Sequence, residues 1–256
     1  MSPSVIAGLS FFCAICAATL GAFLRTRLPE QHLLDDSRDV LKLVIGLIAT
    51  LSALVLGLLI AAAQGSYNSQ AEALQKMAAN AVQVDRFLVL YGPETAEARR
   101  LLRQTAVELD QRVWSAHGIN REGIRSLTEA TTLIALYKEL TNLDPKTRAQ
   151  RFALDRVLQR QDELGLTRLL LYEQGSRTIA PAFLVLLVFW ICVLFLGFGV
   201  LAPLNSTLAT IMLVGALSVS GTIFLILELN SPYQGLIQLS DRPLREALSQ
   251  MDALPH

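Results

Sequence analysis

Residues 43–63 read LVIGLIATLSALVLGLLIAAA, and none of them carries a charge. Lys42 stands directly before them. About 20 helical residues cross a ~30 Å hydrocarbon core. Within lipid the backbone must satisfy its own polar groups, so this stretch predicts a membrane-spanning helix.

Three more windows share that character. Residues 4–24 run uncharged up to Arg25 and Arg27. Residues 179–201 follow Arg177, and residues 208–227 precede Glu228. A cleaved leader is the competing reading of the first window. It lacks a basic n-region, its apolar stretch is long, and its basic residues follow rather than precede it. The hydrophobic content of 52% and mean hydropathy of +0.44 agree with a membrane chain.

The expected fold class is all-α: a polytopic membrane protein with two transmembrane helix pairs flanking a soluble helical domain. Residues 1–63 form the first pair, with helices over 4–24 and 43–63. Residues 64–178 form the soluble domain. Residues 179–229 form the second pair, with helices over 179–201 and 208–227, and 230–256 form an amphipathic tail. Ala202-Pro203-Leu204-Asn205 predicts a tight corner inside the second pair, and Pro29 and Pro232 punctuate the other ends.

The second window carries a ridge of small residues, Gly46, Ala49, Ala53, Gly57, Ala61 and Gly65. From Ala49 onward their spacing is four, which places them on one helical face. Small residues let helix backbones approach closely, so the ridge predicts a helix-packing or pore-facing surface. Packing among the chain's own four helices is the plainer of those readings, and the opposite Leu- and Ile-rich side suits lipid. Ser10, Ala14, Ala17, Ala18 and Gly21 form a similar face in the first window, as do Thr207, Gly215, Ser218, Gly221 and Thr222 in the fourth. No Asp, Glu, Lys, Arg or His sits mid-window, which argues against a proton relay or charge-coupled pump. An apolar constriction can gate a channel without one.

Most of the charge lies in the soluble domain. Ala71, Leu74, Ala78, Ala81, Val82, Asp85 and Leu88 keep a helical period after the second window, so that helix continues to about Tyr91, where Gly92-Pro93 stops it. A second central helix starts in the acidic turn 94–97 and turns Leu101, Leu102, Ala106, Leu109 and Val113 inward. A third spans about Arg121 to Leu140. A fourth begins near Lys146 with Phe152, Leu154, Val157 and Leu158, and runs on through Leu169–Tyr172. In the tail, Ser240 reads as the cap and Leu244, Leu248 and Met251 as the apolar face of a helix resting on the membrane or on the central helices. Arg99, Arg100 and Arg103 cluster on the second central helix. A solvated or salt-bridged face accounts for them better than an anion or headgroup site.

No catalytic pattern emerges. His32, His117 and His256 are far apart, and no GxSxG, HExxH or phosphate loop occurs. Asp35, Asp36 and Asp39 lack the glycine and closing glutamate of a calcium loop, and suit a helix N-terminus instead. Cys13 and Cys16 have CxxC spacing without a second pair or a histidine, so plain packing is expected of them and of Cys192. Basic and acidic residues number 22 each, which gives nucleic acid no purchase. The expectation is a non-enzyme without cofactor or metal, in contact with the lipid bilayer.

Three stretches carry a family resemblance. The first is Leu28-Pro29-Glu30-Gln31-His32-Leu33 with Asp36-Ser37-Arg38-Asp39, leading into Gly46-Leu47-Ile48-Ala49-Thr50-Leu51. The second is Leu54-Val55-Leu56-Gly57-Leu58-Leu59, with Asp85-Arg86 and Tyr91-Gly92-Pro93. The third is Leu227-Glu228-Leu229-Asn230-Ser231-Pro232-Tyr233-Gln234-Gly235 with Ser240, Pro243 and Leu244. Most of the chain thereby resembles the bacterial bestrophin-like membrane proteins, a family described chiefly as a domain of unknown function. The resemblance implies two transmembrane pairs around a helical domain. It also implies a homo-oligomer of the bacterial inner membrane, with an anion as the conducted species, because bestrophins are pentameric anion channels whose second helix lines a hydrophobic neck. The small-residue ridge lies on the corresponding helix. The aromatic neck and acidic calcium clasp of animal bestrophins have no counterpart here.

Sidedness is divided. Arg25, Arg27, Arg38 and Lys42 favour a periplasmic soluble domain, whereas the second pair and Arg242 and Arg245 in the tail favour a cytoplasmic one. The resemblance favours the cytoplasmic side, which is the expectation taken. The alternative function is a non-conducting, membrane-anchored interaction or signalling protein acting through its helical domain.

Overall fold

The computed structural model describes residues 2–27, 35–113, 131–176, 181–202, 205–230 and 236–253. Pro29, His32, His117, Pro203, Pro232 and His256 lie outside them, as do the expected helix starts at Ile179 and Arg121. Among the described residues the chain is helical, without strands. The helices are α1 (Pro3–Arg27), α2 (Asp35–Tyr91), α3 (Ala96–Val113), α4 (Thr131–Thr141), α5 (Arg148–Ser176), α6 (Pro181–Leu201), α7 (Ser206–Leu229) and α8 (Arg242–Asp252). Among the described residues four helices are long and apolar enough to cross a membrane, namely α1, α2, α6 and α7.

The chain forms two compact units. The first holds residues 1–66 and 178–230, the second 67–177 and 231–256. Helix α2 contributes to both.

In the first unit α1 packs on α6 and α7. The α1–α6 crossing is close because it is built from small residues. A Cβ on Gly21 would fall on the Leu196 carbonyl, and one on Gly199 would fall on the Ala18 carbonyl. Ala14, Ala18 and Ala22 continue this seam as buried residues. Lipid tails are as apolar as leucine, so close packing, not water exclusion, holds such helices together. Ser220 Oγ adds a buried hydrogen bond to the Ala7 carbonyl, joining α7 to α1. Leu59 and Ala63 of α2 join Leu187, Ile191, Met212 and Ile223 in the same core. Phe12, Val185, Phe189 and Leu217 point outward, as bilayer-facing residues should.

In the second unit α2 supplies Met77, Ala78, Val82 and Leu88, α3 supplies Leu102 and Ala106, and α4 supplies Leu136 and Leu140 to one core. The corner between α2 and α3 is made by Gly92 and Thr95. Gly92 has φ 131°, a conformation that disfavours any side chain. The following turn, Pro93–Thr95, is a 3₁₀ turn. Thr95 Oγ1, fully buried, donates to the carbonyls of Leu88 at 2.7 Å and Gly92 at 2.8 Å. The same two carbonyls also accept the backbone N–H groups of Gly92 at 3.3 Å and Thr95 at 3.2 Å, so the hydroxyl reinforces the bonds that close the helix end. The Gln150 amide reaches the Tyr91 carbonyl at 3.3 Å and ties α5 to the same corner.

One expected face and one expected cap shift. In α5 the buried stripe is Ala153, Val157, Gln161 and Leu164, while Phe152 is exposed. Its ring meets Phe87 edge-on at 6.4 Å, and the Arg156 guanidinium lies over it at 5.3 Å. The inward Gln161 disguises the apolar period. In α8 the cap is Asp241, not Ser240, and Ser240 Oγ accepts from the Arg242 N–H at 3.3 Å. The expected face of α8 packs in the core of the second unit: Leu244 and Met251 are buried, Leu248 is partly buried against them, and Ala247 joins them.

Candidate functional site

The α2 ridge lies outside the core of the first unit. Gly46, Ala53, Gly57, Ala61 and Gly65 are exposed, and Ala49 is half-buried. A Cβ added at Gly46, Gly57 or Gly65 would meet nothing within 4 Å. The face that α2 turns inward is instead Ile45, Ser52, Leu59 and Ala63. Leu43, Leu47, Leu54 and Leu58 share the outer side with the ridge and are 62–74% exposed. The outer side of α2 is therefore a small-residue groove flanked by leucines. Thr50 Oγ1 is spent on the Gly46 carbonyl at 2.9 Å, so the hydroxyl there is satisfied within the helix.

The other two small faces differ. Ser10, Ala14, Ala18 and Gly21 of α1 are buried, with Ala17 half-buried. Thr207, Ser218 and Gly221 of α7 are exposed, with Gly215 and Thr222 half-buried. Ser218 and Thr222 donate to the carbonyls four residues back. One small-residue face thus closes the fold, and two remain open.

The arginine cluster of α3 is fully engaged. Arg99 donates to both Asp85 oxygens, at 2.8 and 3.3 Å, with side-chain exposures of 13% and 3%. Arg100 binds both oxygens of Glu97 at 2.8 and 2.6 Å. That hydrogen bond holds the Glu97 carboxyl below its usual range and raises the Arg100 guanidinium above its own. Arg103 pairs with Asp252 of α8. Asp85 lies one position from Arg86 on an otherwise apolar stripe, which was the available signal for a buried partner. Nothing local announced Asp252.

Two polar groups of the first unit escape any motif. Ser52 and Glu228 are 7% and 4% exposed, and Ser52 Oγ and Glu228 Oε2 have no hydrogen-bond partner among the described residues. Cys13, Cys16 and Cys192 are free thiols.

Four apolar helices and a helical second unit define an integral membrane protein of mixed membrane and extramembrane architecture. A family model, the Bestrophin-like domain, matches residues 12–244, and the chain belongs to that family. No curated protein and no solved structure matches it.

Proposed function

We propose that the protein is a channel-like homo-oligomer of the bacterial inner membrane, with α2 at the interface between copies and an anion as the conducted species. One observation carries this reading: the ridge from Gly46 to Gly65 is open, with free space where side chains would stand. A small-residue groove favours a neighbouring helix over lipid, because close backbone approach multiplies dispersion contacts. A closed ring then needs only that the same contact repeat around an axis. Family membership supports the same assignment. In this reading the protein performs no catalysis, and the second unit lies in the cytoplasm.

A second reading has its own support. No charged residue lies between Lys42 and Glu72, so the outer face of α2 offers an anion no cationic group. That composition suits a non-conducting anchor whose helical unit binds a partner. Purified oligomer in planar bilayers separates the two. Anion current supports the channel, and its absence from a verified oligomer sinks it.

A further inference from the structure

A cavity of about 220 Å³ opens beside the first turns of α3, lined by Asp85, Ala96, Arg99, Arg100, Arg103 and Met251. Its charges fall in two layers. Asp85 is buried, Arg99 is 13% exposed, and the two neutralise one another at the floor. Arg100 and Arg103 stand at the rim, 59% and 41% exposed, and their carboxylate partners Glu97 and Asp252 are about as exposed. Exposed pairs of this kind are weak and screened by salt. A phosphate group competes well for the same guanidinium groups, since its oxygens accept paired N–H donors in the same plane. The small Ala96 leaves room beside them.

The carboxylate on Arg103 comes from the last residue of α8, whose neighbour Met251 forms one wall of the cavity. We propose that this cavity is an oxyanion site for a phosphate-class ligand, in which Asp252 acts as the internal competitor. Ligand on Arg100 and Arg103 displaces Asp252, and the end of α8 loosens from α3. This does not depend on whether the chain conducts ions. The same chemistry describes free phosphate or the headgroup of an anionic lipid.

The test uses the full chain in phosphate-free detergent buffer, titrated with inorganic phosphate by calorimetry. Arg103→Gln weakens binding about tenfold, the loss of one charge-assisted contact. Asp252→Asn tightens it about threefold, because the competitor is gone. A merely structural ion pair moves both variants the same way, or neither, and that result overturns the proposal. Circular dichroism confirms that each variant is folded. Phosphate should also speed amide hydrogen exchange in residues 242–252, while sodium chloride at equal ionic strength should not. Equal acceleration by chloride means screening alone and overturns the site. In nanodiscs without free phosphate, the same acceleration on adding phosphatidate to phosphatidylcholine assigns the ligand to a headgroup. Response to free phosphate only assigns it to a soluble ligand, and response to neither overturns the proposal.

Discussion

Arg99 holds Asp85 through two hydrogen bonds in the interior of the second unit, linking α3 to the extramembrane part of α2. Removing Asp85 takes both of these bonds from a guanidinium that is only 13% exposed. Asp85→Ala should cost about 3–5 kcal/mol. The paired replacement Asp85→Leu with Arg99→Met should recover most of that loss, because an apolar pair of similar volume needs no desolvation. Chemical unfolding followed by circular dichroism reads both. A double variant no better than the single one would show that the ion pair itself is required.

Gly92 is the one described residue with positive φ, and the α2–α3 corner turns on it. Gly92→Ala places a side chain in a strained conformation and close to the Glu94 carboxylate. A loss of about 1–3 kcal/mol is expected. Gly165, inside α5 with open space around it, is the control. Gly165→Ala should gain about 0.5–1 kcal/mol. The same unfolding experiment compares them, and equal behaviour at the two glycines contradicts the assignment of strain to Gly92.

Gly21 and Gly199 differ from Gly57 in what surrounds them. At the first two a Cβ strikes backbone, and at the third it meets nothing. Gly199→Ala should therefore destabilise the first unit by about 1–3 kcal/mol through overpacking. Gly57→Ala should leave the fold of a single chain unchanged. Thermal unfolding in detergent distinguishes them, and a larger effect at Gly57 would mean that its face is covered within the chain.

Glu97 gives a pH signature. Its carboxyl is held low by the hydrogen bond from Arg100. A group with a depressed folded pKa adds stability above its unfolded pKa and loses that stability as pH falls through the folded value. The difference in unfolding midpoint between the wild type and Glu97→Gln should thus be present at neutral pH and vanish in acid. A difference that grows in acid contradicts the pairing.

The sequence made the membrane helices legible because a bilayer demands long uncharged windows. It also made the length of α2 legible, since no proline stands between Ala63 and Gly92 and the apolar period carries on past Gly65. The orientation of α2 was hidden. In water an apolar stripe marks the core, but in a bilayer the outer face is apolar too. Ile45 and Leu59 face inward while Leu47 and Leu58 face outward, and composition alone does not separate them. By the same limit, composition does not tell the buried ridge of α1 from the open ridge of α2. In the second unit, Gln161 and Phe152 exchange the places that polarity assigns them. Arg103 finds its partner 149 positions along the chain, at a distance that spacing does not reveal.

The central claim is that the open ridge of α2 is where copies of the chain meet. Native mass spectrometry of the purified protein, beside Gly57→Leu, tests it most directly. The account predicts one closed oligomer for the wild type and smaller species for the variant, with helix content unchanged. A monomeric wild type, or an oligomer that Gly57→Leu leaves intact, would contradict it.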